Sequence, residues 1–170
     1  MRKEYERLKR RPFLMPVWLT VVGAVVLVGA GLWTVLAAST TLVVVVPAES
    51  PERARVVAGY LVSGGREAGR VPEAVVAADS AAARAYAERL GAALGLAPVF
   101  APSGDPGALV ALLVGRHRGG HVILAAEPAD LKSTLARLGV ADAEVPSPGE
   151  VALVAVPRFS RPAGLRLTVP

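Results

Sequence analysis

The sequence predicts an α/β domain, a three-layer α/β/α sandwich on a mainly parallel sheet with an antiparallel edge, preceded by one transmembrane helix. Three observations carry that prediction. The 22 residues from Val17 to Ala38 hold no charged side chain and follow closely on Arg7, Lys9, Arg10 and Arg11. Beyond them, short β-branched runs alternate with longer Ala/Arg/Glu-rich stretches, the rhythm of strands joined by helical crossovers. The chain then closes on two apolar runs in succession, 151–156 and 165–169, which read as an antiparallel pair joined by the Pro- and Arg-containing stretch 157–164.

The apolar stretch reads as a membrane anchor. At about 1.5 Å rise per residue it spans roughly 33 Å, enough for a hydrocarbon core of about 30 Å. Its seven Val and four Leu contribute roughly −3 to −6 kcal/mol of insertion free energy at mid-bilayer. Thr20 and Thr34 are its only hydroxyls, and Trp18 and Trp33 lie near its two ends, where interfacial aromatics settle. Val35-Leu36-Ala37 has the small-residue spacing of a signal-peptidase site. An apolar core this long nevertheless exceeds the roughly 7–15 residues of a signal h-region, which favours an uncleaved anchor. Gly23, Gly29 and Gly31 lack the G-x-x-x-G spacing of a pairing motif.

Charge sets the expected orientation. Six of the 19 Lys/Arg and two of the 14 Asp/Glu precede the anchor, leaving 13 and 12 beyond it. Positive charge stays inside, so 1–16 is expected as a cytoplasmic basic leader in reach of anionic lipid, 17–38 as the bilayer partner, and 40–170 as the extracytoplasmic domain. The domain is nearly neutral, which speaks against a nucleic-acid partner despite the sequence pI of about 10.2. With no cysteine there is no disulfide, and nothing reports the redox compartment.

About 131 residues suffice for one core. TLVVVV at 41–46 is a buried strand by its β-branched density. Ser50-Pro51-Glu52 opens a helix that Gly64-Gly65 closes. AVVAA at 74–78 is a second strand, and a helix from Ser80 to Leu94 stops at Gly95. A short strand follows at 98–100, then a helix from Asp105-Pro106 to about Arg116. The strand at 121–126 leads into a helix through Leu138 with Gly139 behind it, and 140–150 reads as a surface loop.

In open α/β sheets ligands bind past the carboxyl ends of the strands. Three such ends carry the candidate residues: Val46-Pro47-Ala48-Glu49, Ala78-Asp79-Ser80 and Ala126-Glu127-Pro128. Here TTLVVVVPAES resembles the opening of the histidine phosphatase superfamily (phosphoglycerate-mutase-like), where an apolar strand runs into Arg-His-Gly or Arg-His-Ala-Glu. VVAADSAAARAYAERLGAALGL is similar to its Ala-Ser-Pro strand end with the Arg-Ala helix that follows. GRHRGGHVILAAEPADL resembles its third segment, whose strand ends in Gly-His, and EVALVAVPRFSRPAGLRLTVP its terminal hairpin. The resemblance spans 40–170 and implies the family's fold.

It also implies where the family's chemistry would sit, and there the chain departs. The nucleophilic His position falls on Pro47, the phosphate-binding Arg before it on Val46, the second-segment Arg on Ala82, and the second catalytic His on Glu127. Phosphohistidine chemistry needs an imidazole nucleophile and cations on the phosphoryl oxygens. Proline, valine and alanine supply neither, and a carboxylate at Glu127 opposes a phosphate by roughly 4 kcal/mol per unit charge at about 4 Å. Arg84, about 200° around the helix from Ala82, is expected to point away from the strand ends.

The expectation is a degenerate member with no catalytic residue and no cofactor, its disused pocket rimmed by Glu49, Asp79, Ser80 and Glu127. Its role would be a binding or scaffold module for a protein partner or small ligand. Two alternatives stand beside it. One is an unorthodox phosphatase or other hydrolase that pairs Glu49 with Glu127 as acid and base. The other is a structural envelope protein with no ligand. His117 and His121 read as a solvated loop at the opposite end of the sheet, since a zinc site needs three or four ligands. A serine hydrolase is unsupported without G-x-S-x-G. Arg116, Arg118, Arg158, Arg161 and Arg166 read as a solvated basic face.

Overall fold

The computed structural model describes residues 17–38, 40–48, 50–67, 71–140, 145–147, 149–157 and 161–168. The chain divides into two compact units between Val35 and Leu36. The boundary falls within the last turn of helix α1, Val17–Ala38, 22 residues long. Leu19 and every side chain from 21 to 35 is exposed, and the Thr34 hydroxyl donates to the Gly31 carbonyl at 2.8 Å, so the helix satisfies its own polar group. Among the described residues, whose α1 side chains are those just named, no helix is long and apolar enough to cross a membrane.

The second unit is built on β1 Thr41–Pro47, α2 Arg53–Glu67, β2 Ala74–Ala78, α3 Ala81–Leu94, β3 Pro98–Ala101 and α4 Pro106–Val110. It continues through β4 His121–Ala126, α5 Pro128–Leu138, β5 Glu150–Val156 and β6 Ala163–Thr168. The six strands form one sheet in the order β3-β2-β4-β1-β5-β6. β3, β2, β4 and β1 run parallel, β5 is antiparallel to β1, and β6 is antiparallel to β5. The two terminal strands therefore supply the antiparallel edge.

Continuous apolar runs suit strands covered on both faces, and the pleat sorts their residues. Val43, Val45, Val122 and Leu124 face one layer with Leu109, Leu113, Leu131 and Leu135 of the helices after β3 and β4. Val44, Val46, Ile123 and Ala125 face the other with Ala54, Val57, Tyr86 and Leu90 of α2 and α3. This is the three-layer sandwich, with the sheet as its middle.

Helix boundaries follow local chemistry. The Ser80 hydroxyl accepts from the Ala83 amide at 3.3 Å to open α3, which ends at Gly95 with φ 71°. Asp105 caps α4 by accepting from the Ala108 amide at 3.0 Å. Two boundaries differ from the sequence reading. α2 begins at Arg53, whose amide bonds the Ser50 carbonyl at 3.1 Å, and it runs through Gly64 and Gly65 to Glu67. A mid-helix glycine costs only about 1 kcal/mol relative to alanine, less than the burial of Ala54, Val57 and Ala58 returns. After Val110 the helix widens into a π-helical turn, Ala111–Arg116, with Leu109 and Leu113 both fully buried.

Candidate functional site

The carboxyl ends of β1, β2 and β4 converge as the topology requires. Pro47 is in register with Ala126, and the Ala48 amide donates to the Ala126 carbonyl at 2.9 Å, so the two strands stay paired to their last residue. Glu127 comes next, exposed, as the residue flanking α5. Its carbonyl accepts from the Leu131 amide at 2.9 Å while its carboxylate caps nothing. Pro47 itself is buried. Val46 is 2% exposed and packed in the layer beneath α2 and α3, so its position is filled by core and does not open onto the rim.

At the β2 end, the Asp79 amide donates to the Ala101 carbonyl at 2.7 Å, which draws Asp79 toward β3. Its Oδ1 accepts from Arg84 Nε at 3.1 Å and Nη2 at 2.5 Å, and the same guanidinium lies 4.4 Å from the Phe100 ring centroid. Arg84 is therefore not turned away from the strand ends. Side chains in a helix lean toward its amino end, and arginine is long enough to reach back across the first turn. Ala82 is exposed and Ser80 is spent as the cap. Glu49 lies outside the described residues.

Two further tethers at this end were not read from the sequence. Asp130 accepts from the Ser103 hydroxyl at 2.9 Å and the Gly104 amide at 3.1 Å, tying the loop after β3 to the start of α5. Arg53, at the start of α2, lies against Gly149, where φ is 88° and an added Cβ would stand 3.2 Å from Arg53 Nη1. A glycine two residues before a predicted strand was the only signal for that contact.

Chemically, the assembled rim offers carboxylates and capped backbone. Of the rim residues named from the sequence, Asp79 is ion-paired, Ser80 is a cap and Glu127 is solvated, so no imidazole or hydroxyl stands ready as nucleophile there. His117 and His121 lie at the opposite end of the sheet. There the Gly120 amide bonds the His117 carbonyl at 3.1 Å and the Glu73 amide bonds the His121 carbonyl at 2.8 Å. Among the described residues no group of three or more His, Cys, Asp or Glu could hold a metal ion.

A groove of about 680 Å³ lies elsewhere, between α2 and α3, lined by Arg55, Ala58, Gly59, Val62 and Arg89 among others. Its one hydroxyl, Ser63, donates to the Gly59 and Tyr60 carbonyls at 3.0 Å and is not poised for attack.

The fold has a recognisable counterpart. It is similar to the crystal structure of phosphoglycerate mutase from Plasmodium falciparum, with a TM-score of 0.58 over 76% of this chain and 91% of that one. The second unit has a phosphoglycerate-mutase-like fold. Only 7% of residues are identical, so the likeness concerns architecture alone. By sequence, no family profile and no curated protein matches the chain.

Proposed function

We propose that this chain is a membrane-tethered, histidine-phosphatase-like domain that has given up phosphoryl transfer and serves as a binding or scaffold module. The observation that carries the reading is the end of β1. Proline occupies the last rung beside Ala126 and Glu127, and the preceding Val46 is built into the core. A phosphoryl-transfer site of the histidine type needs a nucleophilic nitrogen and cations at that rung. Arg84, which reaches the β2 end, already serves Asp79. Binding needs only complementary contacts and survives loss of the nucleophile.

The tether rests on the uncharged 22-residue helix with its basic leader. A helix apolar on all sides, with every described side chain exposed, calls for a nonaqueous surround. The orientation we propose, with 1–16 in the cytoplasm and 40–170 outside, is supported by the leader's positive charge.

The decisive experiment is a turnover assay of the purified full chain in detergent against p-nitrophenyl phosphate and phosphohistidine. Hydrolysis should not exceed the enzyme-free control, and Glu127→Ala should change nothing. Robust turnover that Glu127→Ala abolishes overturns the reading in favour of an unorthodox hydrolase.

A further inference from the structure

The two edges of the sheet are finished very differently. β3 is four residues long, begins at Pro98, and has Arg84 laid over Phe100. β6 is six residues long and last in the strand order, so its outer edge pairs with no described strand. Ala163, Gly164 and Leu165 are all exposed, Leu165 to 60%.

Register sharpens the contrast. Leu165 stands opposite Leu153 and Leu167 opposite Val151, and both β5 partners belong to the layer beneath α2 and α3. At Leu165 β6 thus carries exposed apolar surface one strand beyond the core. Exposed edges of this length invite strand addition, with main-chain bonds supplying affinity and alternate side chains supplying choice.

Charge indicates the occupant. Glu150 stands opposite Thr168 at one end of β6, and after it the sequence holds Arg158, Arg161 and Arg166 and no further Asp or Glu. Arg161 is exposed just ahead of β6, and Arg166 stands in the strand opposite Ala152. A second copy matches the charge poorly, because the same stretch of its chain brings arginines and no Asp or Glu to the edge.

We propose that the β6 edge is a docking surface for an extended protein segment that alternates apolar residues with carboxylates. The inference rests on the binding-module reading and gives that module its surface.

The test uses the full chain in detergent micelles with fluorescein-labelled (Glu-Val)4 and (Lys-Val)4 peptides, read by fluorescence anisotropy and by hydrogen exchange. The acidic peptide should bind about tenfold tighter than the basic one, with the preference shrinking as salt rises. Arg161→Glu with Arg166→Glu should reverse the preference, and exchange should slow within 163–168 on binding. The proposal is overturned by equal binding of the two peptides, by protection elsewhere, by self-association through the edge, or by binding only to anionic phospholipid vesicles. The two readings fail separately. Phosphatase turnover removes the binding module, whereas a partner captured equally by wild type and the charge-reversed variant removes only this edge.

Discussion

Pro47 and Ala126 stand opposite each other as the last register pair of β1 and β4, and the side chain before Pro47 points into the core. Val46 is 2% exposed among Ala54, Val57 and Tyr86. Val46→Arg therefore buries a guanidinium with no partner. A loss of about 3 kcal/mol or more is expected in urea denaturation, because a buried unpaired charge is among the costliest single changes. Val46→Ile, one methylene larger, should cost about 1–3 kcal/mol. A stable arginine variant would show that this rung opens onto the rim.

Arg84 joins α3 to the β2 and β3 ends through Asp79 and Phe100. Both charged side chains are about half exposed, at 45% and 46%, so solvent screens the pair and its worth is about 0.2–1 kcal/mol. Stacking on Phe100 adds about 0.5–1 kcal/mol. Arg84→Ala should accordingly cost about 1 kcal/mol. A double-mutant cycle with Asp79→Ala should recover a coupling that shrinks at 1 M salt. A coupling of several kcal/mol would mean the pair is shielded from water.

Two glycines in helices should respond with opposite signs. A Cβ at Gly91 would stand 2.4 Å from the Leu96 carbonyl oxygen and 3.2 Å from Pro98 Cδ, where α3 turns into β3. Backbone must shift, so Gly91→Ala should lose about 1–3 kcal/mol despite alanine's better helix propensity. At Gly64 nothing lies within 4 Å of the added atom. Gly64→Ala should gain about 0.5–1 kcal/mol through helix propensity and a less flexible unfolded chain. Thermal melts of the two variants on either side of wild type are the expected result.

The contrast between those glycines also explains which parts of the molecule could be read from residues alone. β1, β2 and β4 were legible because strands covered on both faces demand unbroken Val, Ile, Leu and Ala. Ser80, Gly95, Asp105 and Gly139 marked helix ends through strong local chemistry. Gly64-Gly65 misled, since whether a glycine ends a helix depends on packing several residues earlier. The rim was legible only as positions. That Arg84 reaches back to Asp79, that Val46 faces core, and that Asp130 ties down the loop at Ser103 all depend on side-chain direction and on contacts across 5 to 27 residues. No local pattern encodes these.

The absence of cysteine makes the proposed topology directly testable in the full chain. Ser133 is exposed on α5, where its hydroxyl bonds the Ala129 and Asp130 carbonyls at 3.1 Å. Cysteine there removes only these solvent-exposed bonds within one helix, with little expected effect on folding. If the basic leader holds the amino terminus inside, a membrane-impermeant maleimide added to intact cells should label Ser133→Cys fully. It should leave Lys3→Cys unlabelled until the cells are opened. The wild-type chain, having no thiol, supplies a clean blank. Alkaline carbonate should leave both variants with the membrane, as expected of a helix held by about 20 apolar residues. Labelling of Lys3→Cys from outside would invert the orientation, and release of the chain by carbonate would remove the anchor itself.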